Sequence, residues 1–342
     1  MVQRIIIMSM IFLMSISTLA QSQTVSPPKV DRPPWGGLSF DKPIEDKLDE
    51  AWSLMEEPQY DKVIQLCDEI LKDNPDNVIA LSYRGIAYSD SVVYTSKKDE
   101  KEIKDDKAIT DCNRAIELNP EIPIAFATLG EVYSRKGDNE LSLTNCNRAI
   151  EIAPDWSWSY SARGCYYHYL KQYDKAIEDY NKAIQLDPKY AFMYNNRGCA
   201  YGSLKQYDKA IEDLKKAIQL NPEDSMLYCN LGGIYFKKED YKTAIYFCDM
   251  AIQKAPKNAL YYNNRGCAYA SLKQYDKAIE DLKKAIQLNP EESMFYCGLG
   301  IVYFIKEDYK TAIYFFDLAL QKDPINTQAV EGRNKAQEKL GN

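Results

Sequence analysis

The chain has 342 residues, 45% of them hydrophobic, and a formal net charge of −7. That length is enough to bury a sizeable core. The acidic balance argues against nucleic acid as a partner, because phosphates attract surfaces rich in lysine and arginine. Histidine occurs only at His168. Since acid–base catalysis, catalytic triads and many metal sites use histidine, we expect no enzyme and no metal site, and we expect His168 to be a packed side chain.

The first twenty residues have the pattern of a cleavable secretory signal. One cation, Arg4, precedes an uncharged run from Ile5 to Ala20 that ends in small residues. The run is shorter than the roughly 20 residues that span a bilayer. We therefore predict a signal peptide at 1–20, cleavage after Ala20, a secreted or periplasmic location and no membrane span in the mature chain. An uncleaved anchor is the alternative.

Residues 21–43 are rich in proline and glycine, with two proline pairs and one glycine pair. Proline removes backbone donors and favours extended backbone. We read this segment as a linker between the signal and the folded part of the chain.

The remainder of the chain repeats every 34 residues. Prolines recur at this spacing: Pro120, Pro154, Pro188, Pro222, Pro256, Pro290 and Pro324. With this proline numbered position 32 of each unit, position 8 is glycine, position 11 is tyrosine and position 27 is alanine in seven units. Small residues let two helices approach closely, and proline ends the second helix. Each unit is therefore predicted to be two antiparallel helices joined by a tight turn.

The small residues at positions 8, 20 and 27, the aromatic residue at position 11 and the final proline resemble the tetratricopeptide repeat family. The resemblance implies an all-α fold, a right-handed superhelical solenoid of about eight repeats with a C-terminal capping helix. The expected parts are a divergent first repeat at 44–77, a second repeat at 78–122 with an 11-residue insertion, repeats three to eight at 123–324 and the cap at 325–342.

Two departures from the regular repeat stand out. The insertion between Tyr88 and Ala108 is rich in charge, and we expect it to lengthen the turn or to extend both helices into a solvated projection; a partner contact is the alternative. Residues 195–226 and 263–294 differ at only two positions, so a 68-residue module is doubled. The doubling would suit an extended or repetitive partner, or it simply lengthens a stable array.

In this family the first helix of each unit lines the concave groove. The resemblance implies that positions 2, 5, 9 and 12, here called the first-helix face, meet the partner. This face is apolar and adaptable, and its asparagines could bond a peptide backbone. The candidate residues are Phe192, Asn195, Cys199, Met226, Cys229, Phe236, Asn263, Cys267, Met294, Cys297 and Phe304. The alternative is that they only pack between neighbouring helices. Arg135 and Lys237 are too scattered for the carboxylate clamp of some family members.

The nine cysteines fall into two groups. Cys67, Cys112, Cys146 and Cys248 occupy position 24, where we expect small core residues. The other five lie at positions 5 and 9. Export would permit disulfides, and the candidate bridges are Cys199–Cys229 and Cys267–Cys297. No CxxC pair occurs, so no metal and no cofactor is predicted.

Arginine recurs at position 7, as Arg84, Arg163, Arg197 and Arg265. We predict that each pairs with an acidic residue of a neighbouring helix. Together these features predict a protein–protein interaction scaffold that binds a peptide or protein, and not an enzyme. The alternatives are a purely structural spacer of the cell envelope and a thiol-dependent enzyme or redox protein.

Overall fold

The structure is a computed structural model that describes residues 41–56, 59–92 and 98–341. The predicted signal and residues 21–40 of the predicted linker lie outside the described residues. Seventeen α-helices and no strand occur in these ranges, which confirms the all-α fold class. The described residues divide into two compact units, the N-terminal unit of residues 41–206 and the C-terminal unit of residues 207–341.

The N-terminal unit contains nine helices. They are α1 (Lys42–Glu56), α2 (Tyr60–Asp73), α3 (Val78–Ser91), α4 (Lys98–Leu118), α5 (Pro123–Lys136), α6 (Asn139–Ile152), α7 (Ser157–Tyr169), α8 (Tyr173–Leu186) and α9 (Ala191–Ser203). The C-terminal unit contains eight. They are α10 (Tyr207–Leu220), α11 (Ser225–Lys237), α12 (Tyr241–Lys254), α13 (Ala259–Ser271), α14 (Tyr275–Leu288), α15 (Ser293–Ile305), α16 (Tyr309–Lys322) and α17 (Thr327–Gly341).

The glycine of position 8 allows the two helices of a repeat to pack closely. A Cβ added at Gly130 in α5 would overlap the sulfur of Cys146 in α6. In the same way, a Cβ at Gly85 would lie 2.6 Å from the sulfur of Cys112. All four cysteines of position 24 are fully buried, as predicted for small core residues.

The turn between the two helices of a repeat uses a left-handed residue. Lys171 has a φ of 58° and Lys273 a φ of 60°. After Lys171, the backbone N–H of Gln172 donates to the carbonyl of Tyr167 at 2.8 Å, the bond that closes a Schellman motif. Glycine fills this turn position only at Gly137 among the residues that the structure describes.

Successive repeats are joined by a tyrosine at position 4. The hydroxyl of Tyr194 donates to the carbonyl of Pro188 at 3.2 Å, and Tyr262 and Tyr296 make the same bond to Pro256 and Pro290 at 3.1 and 3.0 Å. The position-32 proline therefore ends one helix and also supplies an acceptor to the first helix of the next repeat.

The position-7 arginines form bidentate ion pairs. Arg265 donates from Nε and Nη2 to the two carboxylate oxygens of Asp281 at 2.8 and 2.6 Å. Arg84 binds Asp111 in the same way at 2.7 and 2.7 Å, and Arg163 binds Asp179 at 2.8 and 2.8 Å. The predicted pairing is thus confirmed for these three arginines. For the fourth, Arg197 donates to the side-chain oxygen of Asn181 at 2.7 Å.

The insertion of the second repeat lengthens its second helix. Helix α4 has 21 residues, against 14 in α6 and α8. Lys101, Glu102 and Ile103 in its first turns are exposed, as a solvated projection requires. The start of the insertion is different, because Ser89 and Asp90 are buried. The prediction of a solvated segment is therefore wrong for these two residues, which pack inside the N-terminal unit.

Helix α17 covers the last repeat. Ala329 and Ala336 are fully buried, and a Cβ added at Gly332 would overlap the ring of Phe316 in α16. Arg333 is half-buried and donates to Asp317 at 3.3 Å. The small residues of α17 thus face the apolar end of the stack, as expected of a cap.

Candidate partner-binding surfaces

The predicted first-helix residues of the C-terminal unit divide by exposure. Met226, Met294 and Phe304 are half-buried, so part of each side chain can be contacted. The other candidates in this unit are buried: Cys229, Phe236, Asn263, Cys267 and Cys297. In the N-terminal unit Phe192 is half-buried, and Asn195 and Cys199 are buried.

The buried candidates pack between neighbouring first helices. Phe236 of α11 lies in one apolar cluster with Cys267 of α13. Cys297 of α15 lies in another with Ala270 of α13. The packing role that the sequence left open as an alternative is the one seen for these side chains. Their contact with a partner stays a prediction.

The side-chain amides of the asparagines at position 5 form hydrogen bonds within the protein. Asn263 donates from its amide to the side-chain oxygen of Asn264 at 3.3 Å, and Asn264 donates to the sulfur of Cys229 at 3.2 Å. This relay links α13 to α11. The N-terminal unit has a second relay from Asn195 through Asn196 to Cys165, with distances of 3.1 and 3.3 Å. Because these amides are buried donors with partners, a charged residue in their place would disrupt the stack.

The cysteines are all buried free thiols in the structure. Burial raises the pKa of Cys267 to about 12 and that of Cys297 to about 12, so few of these thiols are ionised near neutral pH. Such thiols are poor nucleophiles. No bridge joins Cys267 to Cys297, and Cys199 and Cys229 are likewise unbridged. Both bridges stay predictions for the oxidised protein.

A small cavity lies where the first-helix face meets the capping helix. It has a volume of about 30 Å³ and is lined by Ile301 and Phe304 of α15, Phe316 of α16 and the side of α17 that carries Gly332 and Lys335. The cavity can accommodate a group the size of a water molecule or a methyl group, so it extends the apolar surface around Phe304 without forming an enclosed active site.

The N-terminal unit contains a buried group that sequence reasoning missed. Trp52, Asp90, Glu131, Trp158 and Tyr190, here called the acid–aromatic cluster, come from α1, α3, α5, α7 and the residue before α9. The rings of Trp52 and Trp158 have centroids 6.3 Å apart, and the indole N–H of Trp158 donates to Glu131 at 3.1 Å. Trp52 and Glu131 both occupy position 9 of the first-helix face. Applying that position to the early repeats would have found them.

Among the residues that the structure describes, no cation lies within hydrogen-bond distance of the two carboxyls of this cluster. Arg135 lies on the same helix as Glu131, but its Nη2 donates to Asp105 at 2.6 Å and to Ser89 at 2.9 Å. One carboxylate oxygen of Asp90 is buried with no hydrogen-bond partner, and so is the hydroxyl of Tyr190. The cluster thus contains polar atoms that no group in the described part of the chain satisfies.

Burial changes the ionisation of both carboxyls. It raises the pKa of Glu131 to about 8, against the opposing effects of the Trp158 hydrogen bond and Arg135. Burial, and then the nearby Glu131, raise the pKa of Asp90 well above its usual range. Burial also raises the pKa of Tyr190. Near neutral pH the cluster therefore holds protons that exposed carboxyls would have released.

His168 is buried and lies edge-on against Tyr173, with ring centroids 5.3 Å apart, as expected of a packed side chain. Within residues 41–56, 59–92 and 98–341, no three histidine, cysteine or acidic side chains gather as metal ligands. Among the helices described, none combines the length and the apolar character that crossing a bilayer requires.

Comparison with protein families identifies the repeats. Models described as tetratricopeptide repeat match residues 125–155, 157–190, 191–224, 214–246 and 259–292. These stretches are similar to tetratricopeptide repeats, and the fold class is all-α, consistent with a superhelical solenoid of such repeats. Comparison of the sequence with curated proteins found no match.

Solved structures of the same fold are similar over most of the chain. The Cut9–Hcn1 hetero-tetramer of the APC/C matches with a TM-score of 0.68 and 21% identity, over 93% of this chain and 62% of that chain, so this chain spans less than two thirds of it. Yeast Tom70 matches with a TM-score of 0.60 and 18% identity, over 94% and 69%. A tetratricopeptide repeat protein from Parabacteroides merdae matches with a TM-score of 0.56 and 18% identity, over 73% and 99%. At these identities the likeness shows the fold.

Proposed function

We propose that the chain is an exported, non-enzymatic scaffold that holds a peptide or protein partner on its first-helix face. Tetratricopeptide repeats are in general protein–protein interaction scaffolds, since stacked repeats offer extended surfaces. The observation that carries the proposal is the half-buried apolar set Met226, Met294 and Phe304. Methionine and phenylalanine at partly open positions suit adaptable contact with an apolar peptide. Export is supported by the sequence of the first twenty residues.

Two features of the chemistry favour binding over catalysis. The cysteines are buried and un-ionised, and His168 is packed against Tyr173. The large side chains open to solvent on the second helices of the C-terminal unit are Tyr246 and Tyr314, 59% and 58% exposed. They lie on the helices opposite to the proposed face, and they therefore serve as matched controls.

Site-specific photocrosslinking tests the proposal. A benzophenone amino acid replaces Met226 or Met294 in the full chain expressed in its own host, and Tyr246 or Tyr314 in the controls. We expect one discrete adduct from the methionine positions and none from the tyrosine positions. Equal adducts from both sets would contradict the choice of face. Absence of adducts at all four positions would favour a structural spacer.

The export part of the proposal has its own test. Mass spectrometry of the protein purified from its host should give an N-terminus at Gln21. An intact Met1 on membrane-associated protein would favour the uncleaved anchor instead.

A further inference from the structure

We propose that the acid–aromatic cluster of the N-terminal unit receives the cationic side chain of the partner, a lysine or arginine of the bound peptide. This inference rests on the proposed function and names the chemistry of one of its contacts. The partner is thus predicted to carry a basic residue that the N-terminal unit receives.

The first observation is a pair of buried carboxyls that keep their protons near neutral pH because burial disfavours their ionised form. Asp90 and Glu131 are only 2% and 7% exposed, so water screens them poorly. Arg135 lowers the pKa of both carboxyls, but the hydrogen bonds of its Nη2 go to Asp105 and Ser89. Buried carboxyls without a counter-ion are costly, and a cation from a partner would remove that cost.

The second observation is the set of unpartnered acceptors. A carboxylate oxygen of Asp90 and the hydroxyl of Tyr190 are buried without a hydrogen bond, and Glu131 uses one oxygen for the indole of Trp158. A lysine ammonium has three N–H donors and a guanidinium has five. Either group could donate hydrogen bonds to all three residues. A neutral side chain of similar size could not also supply the positive charge that ionised carboxylates attract.

The third observation is the aromatic wall. The indole of Trp158 packs near that of Trp52, and Trp52 in turn lies 5.3 Å from the ring of Tyr83. Aromatic faces attract ammonium and guanidinium groups and pack against their methylene stems. A bare metal ion has no such stem to pack against these rings, and so the cluster favours an organic cation.

Entry to the cluster requires one side chain to move. Tyr190 is half-buried at the start of α9 and has its hydroxyl inside the cluster. Because its hydroxyl makes no hydrogen bond there, displacing the ring breaks none. Rotation of Tyr190 is therefore the expected route for the incoming side chain.

Peptide selection tests the inference. A random dodecapeptide library displayed on phage is selected against the chain without its first twenty residues. We expect enriched peptides to share a lysine or arginine at a fixed position, and its replacement by norleucine should weaken binding at least tenfold. Asp90→Asn with Glu131→Gln should cause a similar loss, because both replacements keep the size of the side chain and remove its ability to ionise beside a bound cation. The exposed pair Asp99→Asn with Glu102→Gln, in the same unit, should leave the affinity unchanged.

The outcomes separate this inference from the proposed function. Peptides that bind equally well with norleucine, or equally well to the Asp90 and Glu131 variant, would overturn the inference and leave the scaffold proposal intact. Failure to select any peptide would overturn both. Far-UV circular dichroism and indole fluorescence check that the variant is folded before binding is measured.

The chain's own cations give one more control. Lys29 and Arg32 precede the described residues and could compete for the cluster. Changing both to alanine should leave the affinity for the selected peptide unchanged. A gain of tenfold or more would assign the cluster to the chain's own segment and overturn the assignment to a partner.

Discussion

The two units are built from one repeat and differ in what their first helices present. The N-terminal unit buries Asp90 and Glu131 among tryptophans. At position 9, which Glu131 occupies, the C-terminal unit has Gly233, Cys267 and Ile301. Both share the arginine–aspartate pairs and the left-handed turn. The ion pairs and the turn thus fix how the helices stack, whereas the residues of the first-helix face set the chemistry. The residues of that face can therefore change without altering the fold.

Spectroscopy can separate the two units. Trp52, Trp156 and Trp158 belong to the N-terminal unit, and the C-terminal unit contains no tryptophan. Indole fluorescence therefore follows unfolding of the first unit, whereas far-UV circular dichroism follows the helices of both.

The largest change in unfolding free energy should come from the arginine–aspartate pairs, which both units share. Arg265→Leu leaves the nearly buried carboxylate of Asp281 without its partner, and we expect a loss of about 3 kcal/mol in unfolding free energy. Arg163→Leu should cost a similar amount beside Asp179. Urea unfolding should show the Arg163 loss by fluorescence and by circular dichroism, and the Arg265 loss in the circular dichroism transition.

A matched double variant controls for the ion pair. Arg265→Leu with Asp281→Leu should recover most of the loss, since no uncompensated charge remains. A cost below about 1 kcal/mol for Arg265→Leu alone would mean that this pair behaves like an exposed one and does not hold the repeats together.

The next effect should distinguish the units by pH. The pKa of Glu131 is raised from 4.5 to about 8, so the native state retains a proton that the unfolded state releases above pH 4.5. Its contribution to stability therefore falls as pH rises from 4.5 to 8. Glu131→Gln, which keeps an acceptor for Trp158, should flatten this part of the fluorescence-detected stability profile, with a gain of up to a few kcal/mol above pH 8.

The same profile has a built-in control. Unfolding of the C-terminal unit, followed by hydrogen exchange of its amides, should not respond to Glu131→Gln. A fluorescence profile that keeps its slope in the variant would show that Glu131 titrates normally and that the two units do not differ in this way.

A smaller effect should test the asparagine–cysteine relays. Cys229→Ala removes the acceptor of the buried Asn264 amide, and Cys165→Ala does the same for Asn196. An unsatisfied buried donor costs about 1–3 kcal/mol. Both units contain a relay, so both variants should lose stability in urea unfolding. Cys165→Ala should lose more, because it also removes the acceptor of the buried Tyr180 hydroxyl. A loss in only one of them would show that the relay matters in that unit alone.

The sequence predicted the scaffold better than the surface. Gly130 and its equivalents recur at a fixed spacing in the sequence, because every repeat needs a small residue where its two helices touch. The cluster around Glu131 is only partly visible in this way. Trp52 and Glu131 share position 9 of their repeats, whereas the other three members lie at other positions and come from other elements. The sequence left open whether Asn263 is exposed or packed, because the family pattern gives the direction of a side chain but not the depth at which the next helix covers it.

The smallest effect concerns the turn that recurs in both units. Lys273 in the C-terminal unit and Lys171 in the N-terminal unit have positive φ, a conformation that costs a non-glycine residue about 1 kcal/mol. Glycine avoids that cost but loses more entropy on folding, so Lys273→Gly and Lys171→Gly should each stabilise the protein by up to about 1 kcal/mol. Gly137→Ala should have the opposite effect, because Gly137 has a φ of 80° at the equivalent turn. Urea midpoints that fall in both lysine variants would show that the lysine side chains, and not the backbone conformation, stabilise these turns.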